Sequence, residues 1–258
     1  ACVCVCVCVC VCFLCHNRIV SVVSTANPAD TALATFRTPR SQPFRMNQSP
    51  FSNAGLVTAV ASYLYDPTAA EAEHGPIAEW DVSRVTNMTY LFNGAHAFNG
   101  DLSKWDVSNV KHMDHTFCDA HAFNGDLSKW DVSSVTDMNC MFDCAVAFGG
   151  DLSAWDVSSV DDMAFMFAGA HAFDSDLCKW DVSKVIDMRC MFADAYAFDG
   201  DLSKWDVSSV TDMLGVFERA VAFGGRLSDG FVARMHALGG RRSAAVLWRV
   251  ARRRFRPW

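Results

Sequence analysis

Carboxylates are the residues best placed to do chemistry in this sequence. They recur every 25 residues in two ladders: Asp81, Asp106, Asp131, Asp156, Asp181 and Asp206, and Asp101, Asp126, Asp151, Asp176 and Asp201. Stacked carboxylate oxygens are suitable calcium ligands, so a calcium-stabilised repeat is one reading. The nonapeptide calcium-roll pattern and the EF-hand loop are both absent. Asp and Ser also satisfy the backbone groups of turns and caps, and that turn role is the expectation for both ladders.

His96, His121 and His171 form a second column, with His112 and His115 nearby. The column reads Val146, Tyr196 and Val221 in the other units, which breaks any metal strip; an exposed helix face is expected. Cys118, Cys140, Cys144, Cys178 and Cys190 are scattered and lack the paired spacing of a structural zinc site. Cys140 and Cys190 share a repeat position but stand two coils apart, roughly 10 Å, too far for a disulfide. No metal ligand set and no cofactor is expected.

Nor do the residues predict an enzyme. No nucleophile elbow, phosphate loop or dinucleotide fingerprint occurs. Each acid or base recurs in nearly every unit, whereas catalysis needs one distinctive environment that perturbs a pKa. The aromatic columns could stack bases or sugars. However, Trp80, Trp105, Trp130, Trp155, Trp180 and Trp205 belong to the invariant part of the unit, so they are expected to be structural core.

The elements that position these residues follow from the repeat. Each unit opens Trp-Asp-Val-Ser-x-Val, and eleven positions are identical in all six units. Self-similarity at this period marks a stacked solenoid, because one unit cannot bury its apolar face alone. In the third unit Trp130 and Val132 alternate with Asp131, as in a short strand. Met138, Met141, Phe142, Ala145 and Phe148 are three or four apart, as on a helix. Asp137 falls where an N-cap or first-turn acid belongs. Gly149-Gly150-Asp151 is turn chemistry. The predicted fold is a leucine-rich-repeat-like α/β solenoid of six coils, each strand, corner, short helix and turn.

The repeat solenoid spans 75–229. An N-terminal cap covers 54–74, with a helix over 54–65 that Ser52 or Asn53 starts and Asp66-Pro67 stops, and a second short helix over 68–73. Residues 24–53 are rich in Pro, Ser, Thr and Asn without a period and read as a disordered linker. Gly230 stands where a seventh Trp belongs, so 230–258 reads as a degenerate last repeat and a basic tail.

Two adjacent positions on the predicted helices vary from unit to unit. Thr89, Tyr90, Asp114, His115, Asn139, Phe165 and Arg189 form the candidate binding strip. Repeat proteins use such extended surfaces for partners. The alternative is neutral drift on a solvated face.

Composition limits the partners. The chain has 258 residues, 51% apolar, with mean hydropathy +0.11 and net charge -7. From Arg234 onward there are eight arginines and no acidic residue, which leaves 14 basic against 29 acidic groups, a charge of -15, in the preceding chain. An acidic body disfavours nucleic acid as a partner of the solenoid. The basic tail suits acidic partners, membranes or nucleic acid, or is a disordered end.

Seven of the twelve cysteines lie in the first fifteen residues, ACVCVCVCVCVCFLC. Residues 1–23 read as a low-complexity segment. A translated TG repeat alternates Cys and Val, which favours a gene-model artefact. The remnant of a secretion signal is the alternative, with residues 3–14 as its apolar stretch. That run is too short to read as a membrane span.

The phrase WDVSxVTxMxxMFxxAxxFxGDLSxW closely resembles the BspA-like leucine-rich-repeat surface proteins, whose repeats are also known from mycoplasma lipoproteins. The resemblance covers 75–229, and the lead-in LVTAVASYLYDPTAAEAEHGPIAEWDVS looks similar too. It implies a leucine-rich-repeat-like right-handed solenoid at the cell surface, used in adhesion or protein contact, with no catalytic residues to carry over. The expected function is therefore a noncatalytic protein-binding or adhesion scaffold. The alternative is a structural or decaying repeat without a dedicated ligand.

Overall fold

The computed structural model describes residues 49–238. The Cys-Val segment 1–23, most of the expected linker 24–53 and the tail beyond 238 lie outside the described residues.

Order begins before the expected boundary. Phe51 packs on Trp80 with ring centroids 5.3 Å apart, and its N–H donates to the Asp81 carbonyl at 2.8 Å. Ser52 Oγ then accepts from Gly55 N and starts helix α1, Asn53–Tyr65. Asp66 ends α1 and caps α2, Pro67–His74, through its carboxylate on Ala69 N. Pro67 suits the first helical turn because its missing N–H would have no partner there. Leu56, Ala59 and Val60 of α1 are buried. Asn53 ties the helix to the first coil by exchanging hydrogen bonds with Thr86.

From Trp80 onward the chain returns every 25 residues, and the coils lie on one another. Asn87, His112, Asp137, Asp162, Asp187 and Asp212 pair in sequence through parallel bridges. The phenylalanines stand in two files: Phe117, Phe142 and Phe167 follow each other at 5.5 and 5.7 Å, and Phe123, Phe148 and Phe173 at 6.0 and 6.1 Å. Within a coil the two files touch, as for Phe142 and Phe148 at 4.1 Å. The six repeat tryptophans are 3–4% exposed. Trp80 donates its indole N–H to the Gly75 carbonyl, and each later one donates into the preceding turn of the stack, as Trp130 does to the Leu102 carbonyl at 3.0 Å. A buried indole needs such a partner, and this one also staples two coils together.

The expected strand and helix of each coil are not present among the described residues; helices lie only at the two ends. Two physical causes explain the difference. First, the Asp131 carboxylate accepts the Ser133 N–H, and Val135 N closes on the Val132 carbonyl, so tight turns leave no room for an extended run. Second, the residues of the candidate helix alternate in where their N–H groups go. Leu91, Asn93 and Ala95 close turns on the carbonyls three residues back, while Tyr90, Phe92 and Gly94 donate to Asp114, Thr116 and Cys118 on the next coil. Left-handed backbone at Tyr90 (φ 60°), His115, Cys140, Phe165 and Cys190 keeps the chain from continuing as a helix. A series of turns thus produces the same three-and-four apolar spacing.

The far end of the described residues is a helix. Residues read as a degenerate repeat form α3, Asp229–Leu238. Ser228 Oγ accepts from Phe231 N, and Phe231 and Met235, four apart, are fully buried. Phe231 lies 6.4 Å from Trp205 and 6.0 Å from Phe217, so α3 covers the last coil. The loss of the seventh Trp marks a change of element.

Close coil contact sets one prediction. A Cβ at Gly225 would lie 2.1 Å from the Gly200 carbonyl oxygen. Gly225→Ala is expected to cost about 1–3 kcal/mol by overpacking. Gly230→Ala, where a Cβ in α3 would meet Ser228 Oγ at an ordinary 3.8 Å, is expected to gain about 0.5–1 kcal/mol. Parallel urea titrations of the two variants check the opposite signs.

Candidate functional site

The two variable positions fall side by side at the first left-handed turn of each coil. That turn presents one side chain outward while the flanking Met and Phe stay buried. Tyr90 is 50% exposed and Arg189 is exposed; Thr89, Asp114, His115, Asn139 and Phe165 are half-buried.

The structure brings the first four of these residues together. Thr89 Oγ1 donates to Asp114 Oδ1 at 2.6 Å, and the Tyr90 and His115 rings stack with centroids 4.4 Å apart. Asn139, Phe165 and Arg189 follow on later coils, linked through backbone: Phe165 N donates to the Arg189 carbonyl. The strip is interrupted where Cys140 and Ala164 turn inward and are buried.

Sequence reasoning missed a neighbouring row. Position 8 of the unit carries Asp137, Asp162, Asp187 and Asp212, with His112 before them, along the bridged edge beside the strip. An acid in four of six units next to a variable pair was a legible signal. Burial raises the pKa of Asp137 and Asp162 above the usual carboxylate range, and nearby carboxylates, Asp114 and Asp162 for Asp137 and Asp187 for Asp162, add to it. Arg189 answers the charge further along, at 2.7 Å from Asp187 Oδ2 and 3.6 Å from Asp212 Oδ2. Exposed Ile186 and Leu214 add apolar surface at the same end.

The two ladders singled out in the sequence hold turns. Asp81, Asp106, Asp131, Asp156, Asp181 and Asp206 each accept the N–H of the Ser two residues on. The second ladder does the same, with Cys178 replacing Ser after Asp176. The histidine column forms stacked pairs, His96 on His121 at 4.5 Å and His171 on Tyr196 at 4.4 Å. The five cysteines of the described residues form no disulfide. No helix of the described residues is long and apolar enough to cross a membrane.

A separate groove of about 640 Å³ lies between α1–α2 and the first coil, lined by Tyr63, Leu64, Pro67 and residues 93–100.

The family described as "Mycoplasma protein of unknown function, DUF285" matches residues 61–170 and again residues 129–230. No curated protein matches the chain.

Proposed function

The chain belongs to this family of unknown function, and we propose that within it the chain is a noncatalytic protein-binding scaffold of the adhesion type. The repeats are read as a leucine-rich-repeat-like solenoid of the BspA-like kind, with turns in place of the usual strand and helix. Backbone hydrogen bonds from each coil to the next support the solenoid reading. The observation that carries the function is the gathering of two adjacent variable positions, from Tyr90 to Arg189, along one edge of coils whose core positions repeat. Invariant positions hold the stack together, so variation on one edge is where a partner can be specified without cost to the core. The position-8 carboxylates favour a protein partner that presents basic groups and disfavour nucleic acid.

The noncatalytic reading is supported by the repetition of each acid and base in nearly every unit, whereas catalysis needs one distinctive environment.

A photo-crosslinking side chain placed at Tyr90 of the full chain, with exposed Lys129 outside the strip as control, tests the reading. The expected result is a discrete protein adduct at 90 that excess unmodified chain competes away and a Tyr90→Ala, Arg189→Glu variant does not. Equal adducts at 90 and 129, or no saturable adduct, would overturn it.

A further inference from the structure

The strip and the carboxylate row run side by side, and around His112 they gather one histidine and two carboxylates. His112 and Asp137 are bridged neighbours on adjacent coils, and Asp114 lies two residues beyond His112. One imidazole nitrogen and one oxygen from each carboxylate all lie within 4.8 Å of one another. Ligands of a tetrahedral ion with bonds near 2.0–2.2 Å stand about 3.4 Å apart, a contraction that side-chain rotation supplies.

Three further observations single this place out. Thr89 holds Asp114 by Oδ1, and the Asn139 N–H holds Asp137 by Oδ1 at 2.9 Å, so both carboxylates are oriented from behind. His115 Nδ1 is enclosed, has no hydrogen-bond partner, and faces Asp114 Oδ2 at 3.7 Å from a side chain 14% exposed. Finally, the row is neutralised unevenly. Arg189 serves Asp187 and Asp212, and Asn139 donates to Asp162 at 3.5 Å. Among the described residues no Lys or Arg pairs with Asp114 or Asp137.

We propose that His112, Asp114 and Asp137 bind one divalent transition-metal ion, with His115 beside Asp114 and outside the ligand set. The donor set decides the class. Imidazole with two carboxylates suits borderline ions such as Zn²⁺ or Co²⁺ and admits the harder Mn²⁺, whereas calcium takes six to eight oxygens, more than these side chains offer. His112 is exposed, so the ion keeps a position open to water or to a carboxylate or imidazole of a bound partner. The site departs from the sequence-based expectation of no metal because its ligands come from two units and a column that is histidine only once.

The test uses Mn²⁺ as probe on the ¹⁵N-labelled full chain, since a paramagnetic ion reports its place amide by amide even if cysteines elsewhere take up metal. Saturable broadening is expected at residues 112–115 and 137–139, reversed by Zn²⁺. His112→Gln and Asp137→Asn are each expected to weaken it at least tenfold, while amides of distant coils keep their shifts. Asn at 137 retains the oxygen that accepts from Asn139, which protects the turn. Unchanged broadening in either variant, broadening centred on Asp187 and Asp212, or none that saturates would overturn the proposal. The crosslinking test at Tyr90 stands or falls separately.

Discussion

Phe142→Ala is expected to lower the unfolding free energy by about 3–5 kcal/mol. Phe142 is fully buried in the middle of its file. Its ring meets Phe148 at 4.1 Å, Phe117 at 5.5 Å, Phe167 at 5.7 Å and Trp155 at 6.4 Å, so truncation removes four aromatic contacts together. The cavity cannot collapse easily, because the coils on both sides are held by backbone bonds: Phe142 N donates to the Met166 carbonyl and Phe117 N to the Met141 carbonyl. Domains of ordinary stability have about 5–15 kcal/mol to lose, so this one change takes a large share. Phe142→Leu keeps most of the volume and is expected to cost about 1–1.5 kcal/mol. Urea titration of both variants decides the matter; a loss under about 1 kcal/mol for the alanine variant would mean that the aromatic files do not carry the stack.

Asp143→Asn is expected to act in the opposite direction, stabilising the protein at neutral and alkaline pH. Asp143 is 5% exposed, and its column places Cys118 and Ala168 on either side. Burial pushes its pKa up to about 7, the neighbouring Asp119 carboxylate adds to the rise, and a hydrogen bond from Cys144 opposes it. The unfolded chain releases this proton near pH 4, whereas the folded chain keeps it to about pH 7. Between those values the folded state binds more protons. Stability is therefore fully present below about pH 4 and falls as the pH rises to about 7, by up to about 4 kcal/mol. Asparagine keeps the shape and removes the charge. The variant should match the parent at pH 4 and exceed it by about 1–4 kcal/mol at pH 8. The turn aspartates do not mask this trend. Asp101, Asp126, Asp151, Asp176, Asp181, Asp201 and Asp206 have lowered pKa values because they accept turn hydrogen bonds, so their contribution is lost only as the medium becomes acidic. Equal pH profiles for parent and variant would show that Asp143 ionises freely.

How much of this was legible in the sequence depends on the range of the interaction. The 25-residue period, the buried Trp, Val, Met and Phe positions and the Asp–Ser turns are local patterns repeated six times, so one unit explains the others. The Ser52 cap and the Asp66-Pro67 break are equally local, and they set α1 and α2 at the first coil. Helix α3 could have been read from Ser228 and the Phe231–Met235 spacing, but the missing tryptophan drew attention to the repeat that ended.

The sequence by itself determined which residues form the core, because buried positions stay apolar or identical in nearly every coil. Tertiary structure decided the rest. Apolar residues three and four apart fit a helix or successive turns alike, and only the partner of each N–H, on its own coil or the next, separates the two. The same stacking brings His112, Asp114 and Asp137 together and encloses Asp143 in a column where the adjacent coils carry Cys118 and Ala168. Residues 25 apart in the chain become nearest neighbours, and their chemistry is that of the pair.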